Sequence, residues 1–188
     1  MTKIVPKAII SEEAFVMMIA GAAEVYDKET YGLLIGKKRK KDYHIEYAVP
    51  HQSTLRYKDG VNITIKREKK LIDTINFFRG YRYIGEFHSH PDGPPRLSKQ
   101  DKKDLRESGA GISIIVVIED PEEYCPWEYD RKDKCIKGSV SDDFYIKIKA
   151  YKCDDNSERI LKLRLECDFL KDLNKRIRKR YPSLFEDH

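Results

Sequence analysis

A chain of 188 residues with 40% hydrophobic and 11% aromatic content is long enough to bury a core and too apolar to stay disordered. Its 37 Lys+Arg against 32 Asp+Glu leave a formal charge of +5, a mild bias toward acidic partners and too small a one to imply nucleic-acid binding. Met1 to Lys7 lacks the apolar core of a secretory signal, and the most apolar stretch, Phe15 to Ala23, is far too short to span a bilayer. The expectation is a cytoplasmic protein that crosses no membrane.

Ile4 to Ile10 is a short apolar stretch that reads as a strand despite Pro6. Ser11 then has the character of a helix N-cap, with Glu12 and Glu13 complementing the dipole of the first turn. Phe15, Met18, Ile19, Ala22 and Tyr26 follow at the spacing of one helical face. Tyr31 to Gly36 reads as a buried strand running into a basic turn, Lys37 to Lys41, and Tyr43 to Val49 as its hairpin partner. The five basic residues suit a nucleic-acid patch, but a solvated hairpin tip explains them more simply.

Gly60 to Ile65 alternates like a strand, and Lys66 to Phe78 places Leu71, Ile72, Ile75 and Phe78 at helical spacing. Tyr81 to His90 is the next predicted strand, followed by the proline-rich loop Pro91 to Leu97 and a polar helix from Lys99 to Ser108. Gly109 and Gly111 end that helix, and the apolar run Ile112 to Ile118 has the character of a central strand. Phe144, Ile146, Ile148 and Ala150 alternate with polar residues, as do Leu161, Leu163 and Leu165. A last helix, Asp168 to Arg180, offers Phe169, Leu170, Leu173 and Ile177 as its apolar side. Its basic end, Lys175 to Arg180, complements the helix dipole as a solvated face. Cys125, Cys135, Cys153 and Cys167 form no CxxC pair, so reduced thiols are the default over a second metal site. The chain reads as one α/β domain over 1–188, with 151–188 as a C-terminal elaboration.

His88 and His90 lie two apart near the end of a predicted strand, so their imidazoles share a face and can converge on one ion. Asp101, at the start of the next helix, can return beside them. Two histidines and one aspartate would leave the fourth position of a tetrahedral zinc open, as catalytic sites require. Each residue also has a plainer role. The histidines can be surface or hydrogen-bonded core groups, and Ser98-Lys99-Gln100-Asp101 is a variant capping box. Capping alone is the stronger reading of Ser98 and Asp101; what favours a metal is that these two histidines sit together beside the acid, while His44, His51 and His188 are scattered. The residues themselves point to Glu86, on the same strand face as His88, as the general base.

His88-Ser89-His90-Pro91, six residues, Ser98, two residues and Asp101 together resemble the H-[ST]-H-P-x₆-S-x-x-D signature of the JAMM (MPN+) zinc metalloproteases. Glu29-Thr30-Tyr31-Gly32-Leu33-Leu34-Ile35-Gly36 is similar to that family's E-x-x-G-L-L-x-G strand. The likeness covers about residues 1–150 and nothing beyond Tyr151. Glu86 stands where eukaryotic deubiquitinases favour an aromatic residue, so the chain looks more like the prokaryotic branch.

The resemblance implies a cytidine-deaminase-like α/β fold, a mixed sheet flanked by helices. It implies Zn²⁺ held by His88, His90 and Asp101, with Glu29 as the proton carrier, Ser98 as the donor to the oxyanion, and Glu86 supporting a ligand. The implied activity is cleavage of peptide or isopeptide bonds after the C-terminus of a ubiquitin-like protein, or release of an amino acid from a sulfur-carrier protein. A non-catalytic MPN scaffold is the rival from another class; such relatives typically lose ligands, which this chain retains. A metal at a strand end beside a proline-rich loop is expected at the surface rather than in a deep pocket.

Overall fold

The computed structural model describes residues 6–52, 55–57, 60–62, 64–78, 80–91, 93–107, 109, 111–154 and 157–185. Along the chain run β1 (Lys7–Ile10), α1 (Glu12–Ala23), β2 (Tyr31–Arg39), β3 (Asp42–Pro50), β4 (Leu55–Tyr57), β5 (Gly60–Asn62) and α2 (Ile65–Phe77). Then come β6 (Arg82–Pro91), α3 (Lys99–Glu107), β7 (Ile112–Glu119), β8 (Glu128–Asp130), β9 (Cys135–Val140) and β10 (Phe144–Cys153). β11 (Ile160–Lys162), β12 (Arg164–Glu166) and α4 (Leu170–Arg180) complete it, with a 3₁₀ turn at Pro182–Phe185.

The main sheet has the order β12-β1-β3-β2-β6-β7-β10-β9-β8, with β11 pairing β10; β4 and β5 form a separate hairpin. β6 runs parallel to β7, and β1 runs parallel to both β3 and β12. The fold is thus the expected mixed α/β sheet flanked by helices. β7 is its centre: every residue from Ile112 to Ile118 is at most 4% exposed, because helices cover both sheet faces. The larger core joins Phe15, Met18 and Ala22 of α1, Leu170 of α4, and the sheet residues Ile45, Phe87, Ile114 and Ile146. On the other face Leu97 and Leu105 pack on Ile115, Val117 and Tyr151. That smaller core seats α3 beside the end of β6.

Ser11 caps α1 as its sequence position predicts, its Oγ accepting from the Ala14 amide at 3.0 Å. The helix ends at Ala23, so Tyr26 leaves the predicted face; it is 59% exposed and its ring leans on Phe144 instead. The basic turn is shorter than expected, since Lys37 to Arg39 pair with β3 and Lys40, at φ 55°, makes the reversal. Gly60–Asn62 is a strand, but Ile65 starts α2 rather than ending it. The alternation of Leu161, Leu163 and Leu165 spans two strands with different neighbours. β11 pairs β10 while β12 pairs β1, so this segment links the two sides of the sheet. β4, β8 and β9 were not foreseen. Ile4, Val5, Ile63 and Ser108, included in predicted elements, lie outside the described residues.

Two glycines hold β6 in place. A Cβ at Gly32 would lie 2.2 Å from the Phe87 ring, and one at Gly85 would lie 2.1 Å from the Ile112 carbonyl oxygen. β2 and β7 can therefore close on β6 only with hydrogen at these positions.

Candidate metal centre

β6 presents Glu86, His88 and His90 on the face toward α3, and α3 brings Asp101 up from its first turn. The ligand atoms of His88, His90 and Asp101 all lie within 4.8 Å of one another. Asp101 Oδ2 is 3.6 Å from His88 Nε2 and 3.7 Å from His90 Nε2. Those separations are too long for hydrogen bonds and close to the ~3.3 Å edge of a tetrahedron of donors about 2.0 Å from a zinc ion.

Each donor is oriented from behind. His90 Nδ1 lies 3.2 Å from the Pro94 carbonyl, so the proton sits there and Nε2 keeps its lone pair. His88 Nε2 is buried with no hydrogen-bond partner, a costly state for a nitrogen unless an ion completes it. Asp101 Oδ2 accepts from the Ser98 amide at 2.6 Å, and Ser98 Oγ accepts from the Asp101 amide at 3.1 Å. The capping box is therefore real, and it is also what aims the carboxylate at the histidines. This donor set fits a divalent metal, and among the described residues it is the only such group. All four cysteines are free thiols outside it.

Local charges follow the same geometry. Burial alone would raise the Asp101 carboxyl, but His88 and the two Ser98 contacts outweigh it and hold it well below the usual carboxylate range. Burial opposes charge on His88, yet Asp101, Glu86 and Glu29 together lift it above the ordinary histidine value. Burial and the neighbouring His88 push His90 down. Glu86 is raised by its own burial.

Glu29, far from this group in sequence, stands with its Oε1 4.0 Å from His90 Nε2. The two residues that put it there were not foreseen. Thr30 is fully buried; its amide donates to Ser89 Oγ and its hydroxyl to the Gly21 carbonyl, both at 2.8 Å. The Ser89 amide returns a bond to the Thr30 carbonyl at 2.9 Å. Ser89, the middle residue of His-Ser-His, thus faces away from the metal donors and ties the Glu29 segment to their strand.

The site opens to the surface as expected, but its histidines are more buried than an exposed site implies. His88 and His90 are 6% and 8% exposed, in a cleft of about 1280 Å³. Ile65 and Ile72 of α2 and the 93–97 loop raise its walls around them. Glu29, Glu86 and Ser98 line the same cleft, as do Glu68, Asp104 and Glu107, against one cation, Arg96, among its described lining residues.

A mixed α/β fold with two histidines and one aspartate that could hold a metal at the end of a central strand is an MPN-like arrangement. The chain belongs to the family of prokaryotic homologs of the JAB domain, whose profile matches residues 11–129. Among solved structures it is similar to protein DSY2949 from Desulfitobacterium hafniense, determined in solution, at 17% identity and a TM-score of 0.56. That likeness covers 86% of this chain and 92% of the other, and it concerns the fold alone. No curated protein matches.

Proposed function

We propose that this chain is a zinc-dependent peptidase or isopeptidase that cleaves after the C-terminus of a ubiquitin-like protein, in deconjugation or precursor processing. The observation that carries the reading is the convergence of three oriented donors with Glu29 inside one open cleft. When bound, zinc supplies Lewis acidity toward a carbonyl and makes water a competent nucleophile near neutral pH. Glu29 takes the proton that water loses as it adds to the carbonyl carbon, and passes it to the leaving amine as the C–N bond breaks. Ser98 Oγ accepts from the Asp101 amide, so its own hydrogen remains to donate to the carbonyl oxygen as that oxygen becomes anionic. Glu86 stays behind His88 and steadies its orientation and charge.

The acidic walls of the cleft favour a cationic segment beside the scissile bond. Asp104 and Glu107 follow Asp101 along α3, reaching roughly 9 Å from it. Extended chain covers that distance in about three residues, so lysine or arginine within three residues of the cleaved bond suits the site.

The test has two readouts. Elemental analysis of protein purified without added metal is expected to find about one zinc per chain. A fusion that ends a folded ubiquitin-like protein at the cleavage point is expected to turn over far faster than its isolated tail peptide, because binding of the folded body orients the bond. Zinc without cleavage of any fusion would instead favour a non-catalytic scaffold. Failure to bind zinc even after reconstitution would end the hydrolase reading.

A further inference from the structure

A second groove, of about 560 Å³, opens at the other end of β6. Arg82 and His90 are eight residues apart, or about 26 Å of strand, and among the described residues only Tyr83 lines both cavities. The groove is lined by Lys37, Lys38 and Arg39 of β2 and Arg82 of β6, with no carboxylate among its described lining residues. Among the described residues none of these four cations is ion-paired; Lys38 only rests over the buried Tyr43 ring, at 5.5 Å. Cationic residues that line one groove without a paired carboxylate favour an anion among them. The floor is glycine-rich: at Gly111 a Cβ would lie 2.7 Å from the Ile84 carbonyl oxygen, and Gly80, at φ 88°, faces Lys37.

Exposed rings flank the groove's Gly80 and Arg82 in the chain, although none is among its described lining residues. Phe77 and Phe78 are 82% and 57% exposed, and Tyr47 and Tyr81 are 42% and 40% exposed. Phe77 meets Phe78 edge-on at 5.7 Å, and Tyr47 lies tilted against Tyr81 at 5.6 Å. The Tyr81 amide bonds back to the Phe78 carbonyl, which sets Phe77, Phe78 and Tyr81 around one turn at Gly80, while Tyr47 reaches Tyr81 from β3. Lone exposed apolar residues are ordinary, but four large rings gathered beside a cationic groove are a surface with a use.

We propose that this end of the sheet binds single-stranded nucleic acid, with phosphates on Lys37, Lys38, Arg39 and Arg82 and bases stacked on Phe77, Phe78 and Tyr81. An acidic peptide would satisfy the cations but leave the rings unused. A duplex keeps its bases in its own stack. A flexible single strand engages both features, the usual combination of a charged channel and stacking platforms. In sequence the basic run passes for a solvated hairpin tip; Arg82 and the aromatic turn join it only in the fold.

Fluorescence anisotropy with the full chain tests this, using labelled U12 and dT12 strands, a 12-base-pair duplex and an oligoglutamate peptide. The single strands are expected to bind at least about tenfold more tightly than either rival in low salt. The log–log salt slope should be about −2 to −3, for three or four phosphates at ~0.7 each. Lys37→Glu/Arg39→Glu/Arg82→Glu should abolish binding, and Phe77→Ser/Phe78→Ser should weaken it about tenfold while keeping the slope. Both variants should keep the parent's melting temperature and zinc content. If the charge reversals misfold, Lys37→Gln/Arg82→Gln should still flatten the slope. No saturable binding, equal binding of duplex or oligoglutamate, or indifference to these substitutions would overturn the proposal.

Discussion

Ser98 has two roles that one substitution removes together and a second can separate. Its Oγ accepts from the Asp101 amide at 3.1 Å, an N-terminal helix contact worth about 1 kcal/mol. Ser98→Ala should therefore lower the melting temperature by roughly 2–4 °C in a chain of this size. The Ser98 amide, which donates to Asp101 Oδ2 at 2.6 Å, survives the change. Asp101 should then stay aimed at the histidines and zinc content should hold. If the hydroxyl also donates to the developing oxyanion, kcat should fall by about 10²–10³. Ser98→Asp restores a good capping acceptor but no donor, so it should recover the stability and none of the rate. Thermal melts, zinc analysis and fusion cleavage on the three proteins give the answer. Recovery of kcat by Ser98→Asp would refute the donor role and leave Ser98 as a cap alone.

Other outcomes follow from the same geometry. Glu29→Gln should abolish turnover with zinc retained, whereas Glu86→Gln should weaken metal retention or rate more modestly, by about 10–100-fold; a dead Glu86 variant beside an active Glu29 variant would reverse the two roles. Burial pushes the Cys167 thiol up to about 12 and also raises the 2%-exposed Cys135, so neither should be alkylated at pH 8 until the chain unfolds. Mass spectrometry after iodoacetamide checks this, and rapid native labelling of Cys135 would contradict its burial.

What was legible in the sequence was what repeats or stands close together. The apolar run at Ile112 needs burial on both faces, and the Ser11 cap and the His88, His90 spacing are local patterns with one geometric meaning each. Glu29 was not legible in that way. It is one acid among 32 Asp+Glu, and its place beside His90 is set by Thr30 and Ser89 across two strands. Only the resemblance pointed to it; the residues by themselves favoured Glu86, which shares the strand face of His88. The depth of the site was missed for a similar reason, since α2 and the 93–97 loop wall the cleft by tertiary packing that no local pattern records. Leu161 to Leu165 reads as one strand because alternation reports which face is buried and says nothing of which neighbour each half pairs with.

The C-terminal segment has no counterpart in the residues that carry the resemblance, yet its helix closes the larger core at a single, testable joint. Phe15 of α1 sits between the Trp127 ring at 4.8 Å and the Phe169 ring at 5.2 Å, both edge-on. Asn174 of α4 clasps the backbone of the same tryptophan: the Trp127 amide donates to Asn174 Oδ1 at 2.9 Å, and Asn174 Nδ2 donates to the Trp127 carbonyl at 2.8 Å. Trp127 is only 4% exposed, so water cannot readily replace either bond. Asn174→Ala leaves a donor and an acceptor unmet, each costing ~1–3 kcal/mol. A total of about 2–6 kcal/mol lowers the melting temperature by roughly 4–24 °C. Asn174→Asp keeps the acceptor for the Trp127 amide but turns a carboxylate oxygen toward the Trp127 carbonyl, so it should be at least as damaging as alanine at neutral pH. Trp127 is the chain's one tryptophan, so its emission reports this joint directly and should shift red in both variants below the global transition. An alanine variant that melts with the parent and keeps its emission would show that α4 is held by its apolar face, through Leu170, Leu173 and Ile177, and that the asparagine clasp contributes nothing.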